Sequence, residues 1–320
     1  MTTPIRIDRD AQQYLRQRRH HSAMSGAVLD PAALRSEERS LRHRYGHGPR
    51  MHREMLVAAS EGVPRHHLLE PVGRPAGELV YVHGGGWVMG EPEDYLAVCR
   101  ALAHASGWRM VVPNYRKAPE HPFPAGLTDI RAVVRHRLDV CRLATAPIPF
   151  GIGGDSAGGN LAAVIAAEQS QEDPGALSAQ VLITPVLDSD LDTASYRDPH
   201  RQLTLTRDAM AWFWDQYRPD GDRADARLAP LRSPHLAALP RTVFVSVGTD
   251  VLQSEGEDYL DRLRSAGVDV HHLELTGQLH GFFQLYNVMA ASAEAVDWIA
   301  GELRRVGSAP VALIESGGHQ

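Results

Sequence analysis

Short apolar runs alternate along this chain with longer stretches of helical periodicity. Glu78-Leu79-Val80-Tyr81-Val82 reads as a buried strand, as do Ile148-Pro149-Phe150-Gly151-Ile152, Val181-Leu182-Ile183-Thr184 and Thr242-Val243-Phe244-Val245-Ser246-Val247. Residues 270–275 continue the set. Helices are predicted over 160–167, where small and aliphatic residues follow Asn160 without a break, and over 254–266. Residues 185–241 put far more chain between two strands than a crossover helix needs. Within them, 209–217 forms an aromatic-rich helical stretch, in which the consecutive Trp212, Phe213 and Trp214 cannot share one face.

Composition narrows the picture. A chain of 320 residues can bury one large core with an appended segment, so a single domain over 1–320 is expected. The formal net charge of −6 argues against nucleic acid as a general partner. No run is apolar enough to cross a bilayer, and residues 1–10 lack the apolar centre of a secretory signal. Cys99 and Cys141 each fall in a helical pattern and read as packing residues, which fits a reducing cytoplasm. Arginines and histidines crowd residues 14–53, a pattern expected of a solvated helical face, with a docking surface for an anionic substrate or acidic carrier as the lesser reading. No metal site is expected. His66-His67 and His271-His272 sit in strand-like runs whose neighbours point to opposite faces, and Gly46 and Gly48 interrupt any helix joining His43 to His47. The tail over 307–320 reads as disordered.

The candidate chemistry lies where strands end. Gly154-Asp155-Ser156-Ala157-Gly158 stands between an apolar strand and a helix, the context of a nucleophile elbow. Its glycines leave room for a tight turn that exposes the serine hydroxyl. Upstream, the strand ending at Val82 runs into His83-Gly84-Gly85-Gly86-Trp87, a turn whose main-chain N–H groups are open to a substrate oxygen. Gly85 and Gly86, with Ala157 at the helix start, are the expected oxyanion donors. A serine needs a base and an orienting acid, and after a nucleophile elbow of this kind the expected chain order is Ser, then Asp or Glu, then His. Strand 242–247 delivers Asp250 and strand 270–275 leads to His280, so topology places these two on adjacent strand-end loops. Asp188, Asp190 and Asp192 come one strand too early. Glu255 and Asp258 fall inside a helix, and Asp155 points elsewhere on a sharp turn.

These residues resemble the hormone-sensitive-lipase-like branch of the α/β-hydrolases, in its bacterial esterase group. The likeness is carried by His83-Gly84-Gly85-Gly86-Trp87, by the segment from Asn114-Tyr115-Arg116-Lys117-Ala118-Pro119-Glu120 to Ala125, by the elbow through Ala162, and by His280-Gly281-Phe282. Asp250-Val251-Leu252 lacks the proline usual after the acid, and Lys117 replaces a usual leucine. The resemblance implies an eight-stranded, mostly parallel sheet flanked by helices. It also implies a helical cap from an N-terminal arm and an insert, here about 1–55 and 186–225, over a catalytic core of about 66–185 and 240–306. Trp87, Trp212, Phe213 and Phe282 are the aromatics expected to bound an enclosed pocket.

The reading is a serine carboxylesterase hydrolysing short- to medium-chain acyl esters of small molecules, with no cofactor and with homodimerisation among the expectations. An amidase, deacetylase or deformylase acting on a biosynthetic intermediate would use the same machinery. A non-hydrolytic ligand-binding member of the fold is the remote alternative, since Ser156, Asp250 and His280 are all present.

Overall fold

The computed structural model describes residues 5–18, 29–221, 223 and 225–308. Of the tail read as disordered over 307–320, residues 307–308 instead end a helix that runs to Ser308, and 309–320 lie outside the described residues, as do Arg19, His20 and His21 of the basic arm. The arm contains helices α1 (Arg9–Arg18) and α2 (Pro31–Leu41). Pro31 starts α2 with a preset φ, and the Asp30 carboxylate caps it by accepting the Ala33 N–H at 2.8 Å.

The strands are β1 (Arg53–Val57), β2 (His66–Glu70), β3 (Gly77–Val82), β4 (Trp108–Pro113), β5 (Phe150–Asp155), β6 (Ala179–Ile183), β7 (Arg241–Thr249) and β8 (Val270–Leu279). Among the described residues they form one eight-stranded sheet in the order β1-β2-β4-β3-β5-β6-β7-β8. β1–β2 and β2–β4 pair antiparallel, and the pairs from β4–β3 to β7–β8 are parallel. The remaining helices are α3 (Pro92–Ser106), α4 (Ala125–Leu143), α5 (Ser156–Glu172), α6 (Ala194–Arg197), α7 (Arg207–Tyr217), α8 (Gln253–Ser265) and α9 (Ala290–Ser308).

Helices on both faces explain the sequence pattern. One core joins the sheet to α4, α5, α7 and α8, and the other joins it to α3 and α9. Central strands β3, β5 and β6 are therefore buried at every position and read as mostly apolar runs, interrupted at Glu78, Asp155 and Gln180, rather than as alternations. One charge lies at the start of this core. Glu78 of β3 is fully buried and takes both Nε and Nη2 of Arg137 at 2.6 Å, with Arg109 Nη1 at 2.8 Å. Burial of this acid is tolerable because both its oxygens are paired.

Two boundaries differ from the sequence reading in ways that matter for the site. β5 runs on to Asp155, so it ends directly on Ser156 rather than at Ile152. β8 continues past 275, where the sequence reading ended it, to Leu279. Its pairing with β7 shifts register between Val247 and Thr249 and then resumes at Thr249–Leu279. That register brings the end of β8 level with the end of β7, one residue before each of Asp250 and His280.

Candidate active site

Ser156 heads α5 with a left-handed φ of 53°, a conformation non-glycine residues rarely hold. Crowding around it explains the flanking glycines. A Cβ on Gly154 or Gly158 would run into Val82 O, and one on Gly158 would also meet His83 O. The turn is held from the far side as well, where Val186 N–H donates to Ser156 O at 3.1 Å. Asn160 Nδ2 fixes that same stretch by donating to Val186 O at 3.0 Å and to Leu228 O at 2.8 Å.

Three strand ends meet at this serine. His280 Nε2 lies 2.9 Å from Ser156 Oγ, and His280 Nδ1 lies 2.8 Å from Asp250 Oδ2. Asp250 Oδ1 accepts Leu252 N–H at 3.0 Å, which fixes the carboxylate plane without the usual proline. The histidine backbone is tied to the neighbouring strand, with His280 N–H donating to Thr249 O at 3.3 Å. From the insert, Thr204 Oγ1 donates to His280 O at 3.0 Å. Both partners are screened from water, the His280 side chain being 10 % and that of Asp250 3 % exposed.

The glycine turn after β3 faces the serine across a cavity. Gly85, Gly86 and Trp87 have successive φ values of 111°, 59° and 60°. Gly85 O accepts from both Val88 N–H at 3.1 Å and Met89 N–H at 2.7 Å, closing a compact turn. The N–H groups of Gly85, Gly86 and Ala157 donate to none of the described residues. His83 packs face to face with Tyr115, their ring centroids 4.5 Å apart, and burial pushes its imidazole down to about 3. The ring is therefore neutral at ordinary pH and adds no charge beside the turn.

The cavity holds about 580 Å³ and has Ser156, His280, Gly85 and Gly86 in its wall. The arm contributes Leu34, Leu41 and Tyr45, the insert contributes Leu205, Met210 and Phe213, and Leu285 and Val288 complete the apolar side. Among the four aromatics expected around the pocket, Phe213 lines it, over Gly86, whose added Cβ would strike the Phe213 ring. The other three are corrected. Left-handed Trp87 swings its indole away from the serine, parallel to Tyr217 at 4.4 Å and tilted on Trp214 at 4.6 Å. Phe282 turns into the α3/α9 core, edge-on to Phe283 at 6.1 Å. Trp212 stands outside the cavity wall, edge-on to Phe213 at 5.2 Å.

A family model for the alpha/beta hydrolase fold matches residues 79–284. The chain belongs to this α/β-hydrolase family, in its hormone-sensitive-lipase-like branch. It is 33 % identical over 269 residues to the carboxylic ester hydrolase LipN of Mycobacterium tuberculosis, covering 80 % of this chain and 72 % of that protein. It is 34 % identical over 234 residues to the carboxylesterase NlhH of the same species, covering 71 % and 73 %. Among solved structures it is similar to the ester-hydrolase EH1AB1 from the metagenome of Lake Arreo, with a TM-score of 0.85, 30 % identity and coverage of 93 % and 98 %. The esterase of Pyrobaculum calidifontis gives a TM-score of 0.82 at 30 % identity, covering 95 % and 100 %.

This hydrolase also uses a residue of the elbow motif to which the sequence reading gave no role. Asp155 turns back under the glycine turn, where Oδ1 accepts Gly84 N–H at 3.0 Å and the Tyr81 hydroxyl at 2.8 Å. Its Oδ2 accepts the Tyr95 hydroxyl at 3.2 Å. Burial raises its carboxyl to about 6 despite these three donors. A carboxylate closing a wholly buried strand was the available signal. The early acid Asp188 pairs instead with Arg232 at 2.8 Å, and buried Glu255 accepts Leu187 N–H at 2.7 Å.

Proposed function

We propose that this hydrolase is a serine carboxylesterase for small acyl esters, with Ser156 as nucleophile, His280 as general base and acid, and Asp250 as the orienting acid. The supporting observation is the continuous relay of 2.9 and 2.8 Å from Ser156 Oγ through His280 to Asp250, on the wall of a partly apolar cavity. In the first half-reaction Ser156 Oγ attacks the ester carbonyl while His280 Nε2 takes its proton. Asp250 fixes the Nδ1–H tautomer and stabilises the imidazolium that forms. Negative charge on the carbonyl oxygen is met by the N–H groups of Gly85, Gly86 and Ala157, each such donor typically being worth about 3 kcal/mol. His280 then protonates the leaving alcohol, and a water deprotonated by His280 releases the acid.

The arm and the insert, about 1–55 and 186–225, act in this reading as a cap that selects the acyl or alcohol group. Their support is that both supply cavity wall. The cytoplasmic assignment rests on Cys99 and Cys141, buried free thiols in separate helices.

The experiment is turnover of matched acetyl ester and acetamide substrates by wild type and Ser156→Ala, with mass detection of a phosphonate adduct. Ester turnover and a single adduct at Ser156 are expected, both lost in the variant. Faster turnover of the amide would make the protein an amidase, and an unlabelled Ser156 would remove the catalytic assignment altogether.

A further inference from the structure

We propose that Arg35 is a positioning residue that transmits the seating of cap helix α2 to the oxyanion turn, a role that rests on the carboxylesterase reading above. Its guanidinium spends every nitrogen on one small region. Nε donates to Val88 O at 2.8 Å, Nη2 donates to Ala118 O at 2.7 Å, and Nη1 and Nη2 each reach a Glu120 oxygen at 2.7 Å. The two carbonyls flank an existing main-chain link, since Ala118 N–H donates to Trp87 O at 2.9 Å. Three chain segments thus converge on one side chain: α2, the turn after β3, and the loop that leads to α4.

The turn has reason to need such a tether. Gly85 and Gly86 carry no Cβ, so their backbone is free to adopt many conformations that would point the N–H groups elsewhere. Internal bonds to Gly85 O close the turn, but they do not fix it to the rest of the molecule. The Asp155 carboxylate anchors its entrance at Gly84 N–H, and Arg35 anchors its exit at Val88 O. The ion pair with Glu120 is not the main contribution, because the Glu120 side chain is 55 % exposed and solvent screens it. Its effect is to hold the guanidinium plane so that Nε and Nη2 meet the two carbonyls. A lysine places one point charge there and cannot reproduce the fork.

The same helix forms cavity wall through Leu34 and Leu41. A role confined to that wall and a role at the turn therefore predict different kinetics. Acetate and hexanoate esters of one alcohol differ only in acyl length, so a contact between the wall and the acyl chain separates them, whereas both depend equally on the oxyanion donors.

The test compares p-nitrophenyl acetate and hexanoate turnover, and phosphonylation rates at Ser156, for wild type, Arg35→Ala, Arg35→Lys and Glu120→Gln, with thermal unfolding of each. Arg35→Ala is expected to lower kcat on the acetate roughly ten- to hundredfold, the scale of a small misplacement of reacting groups. Phosphonylation should slow in parallel, Arg35→Lys should lose almost as much, and Glu120→Gln should lose less. Millimolar guanidinium, but not equal sodium chloride, should restore part of the Arg35→Ala rate. An unchanged kcat on acetate, with only the hexanoate KM raised, would confine Arg35 to the cavity wall and overturn the proposal. If Arg35→Ala is unfolded at the assay temperature, the Arg35→Lys result decides by the same criterion. Failure of wild type to turn over either ester would instead strike the carboxylesterase reading, and the phosphonylation ratio would still score Arg35.

Discussion

Asp155 Oδ1 accepts the backbone N–H of Gly84 at 3.0 Å, so the residue before the elbow serine holds the first glycine of the turn opposite it. Elbow and turn are not two independent loops that happen to face each other. They share one buried carboxylate, which Tyr81 and Tyr95 also bind.

That carboxylate gives a signed pH prediction. Burial raises the Asp155 carboxyl to about 6, above the ~3.9 of an unfolded chain. Between these values the folded protein keeps a proton that the unfolded chain releases, so this group's contribution to stability is full below about pH 4 and is lost as pH rises through about 6. Asp155→Asn lacks that loss, worth roughly 3 kcal/mol for two pKa units. Thermal unfolding of both proteins from pH 4 to 7 should show the variant gaining on wild type as pH rises. Parallel curves would refute the assignment.

Asp250→Asn should lower kcat by about 10⁴ through loss of the correct histidine tautomer. Asp188→Asn, which disturbs the ion pair with Arg232 and the bond that Oδ1 accepts from Ser189 N–H at 2.7 Å, should stay within a few-fold of wild type. Esterase assays on the two purified variants rank them, and the reverse ranking would move the acid to the loop after β6.

Phe213→Ala should lengthen the acyl chain that gives the highest kcat/KM, because it removes a ring from the cavity wall directly over Gly86. Each further methylene that becomes buried adds up to ~0.8 kcal/mol. Phe282→Leu should leave the optimum where it was, since that ring packs in the α3/α9 core. An ester series from acetate to decanoate measures both, and a shared shift would show that the cavity wall is wrongly drawn.

Glu78→Ala should destabilise the fold by about 3–5 kcal/mol, the usual result of stranding a buried charge. Here Arg137 would lose its carboxylate, its side chain being only 9 % exposed. Activity at low temperature should persist, because Glu78 lies at the far end of β3 from the glycine turn. Unfolding midpoints and initial rates, taken together, separate stability from catalysis.

Legibility in the sequence followed the range of the forces involved. Chain order and strand-end placement brought out Ser156, Asp250 and His280 as candidates, because short apolar runs mark strands and the residue after each run marks its end. The cavity aromatics were harder. Consecutive Trp212, Phe213 and Trp214 announce a crowded helix, but which ring meets the cavity depends on how α7 docks on the glycine turn. The left-handed backbone at Trp87 reversed that side chain's expected direction. The roles of Arg35 and Asp155 at the glycine turn were hidden for a different reason: there each meets a backbone group distant in sequence, and a carbonyl at Val88 or an N–H at Gly84 carries no residue signature.

The stack of Trp87 on Tyr217, with rings 4.4 Å apart and only 2° from parallel, joins the glycine turn to the insert helix α7. It has an optical consequence. The Trp87 indole is 1 % exposed, and lifting α7 from the turn would hydrate it, shifting its emission to the red. The molecule therefore carries its own unlabelled reporter of any separation of α7 from the turn, with Trp87→Phe as the blank. Stopped-flow emission could time how fast an ester enters and an acid leaves.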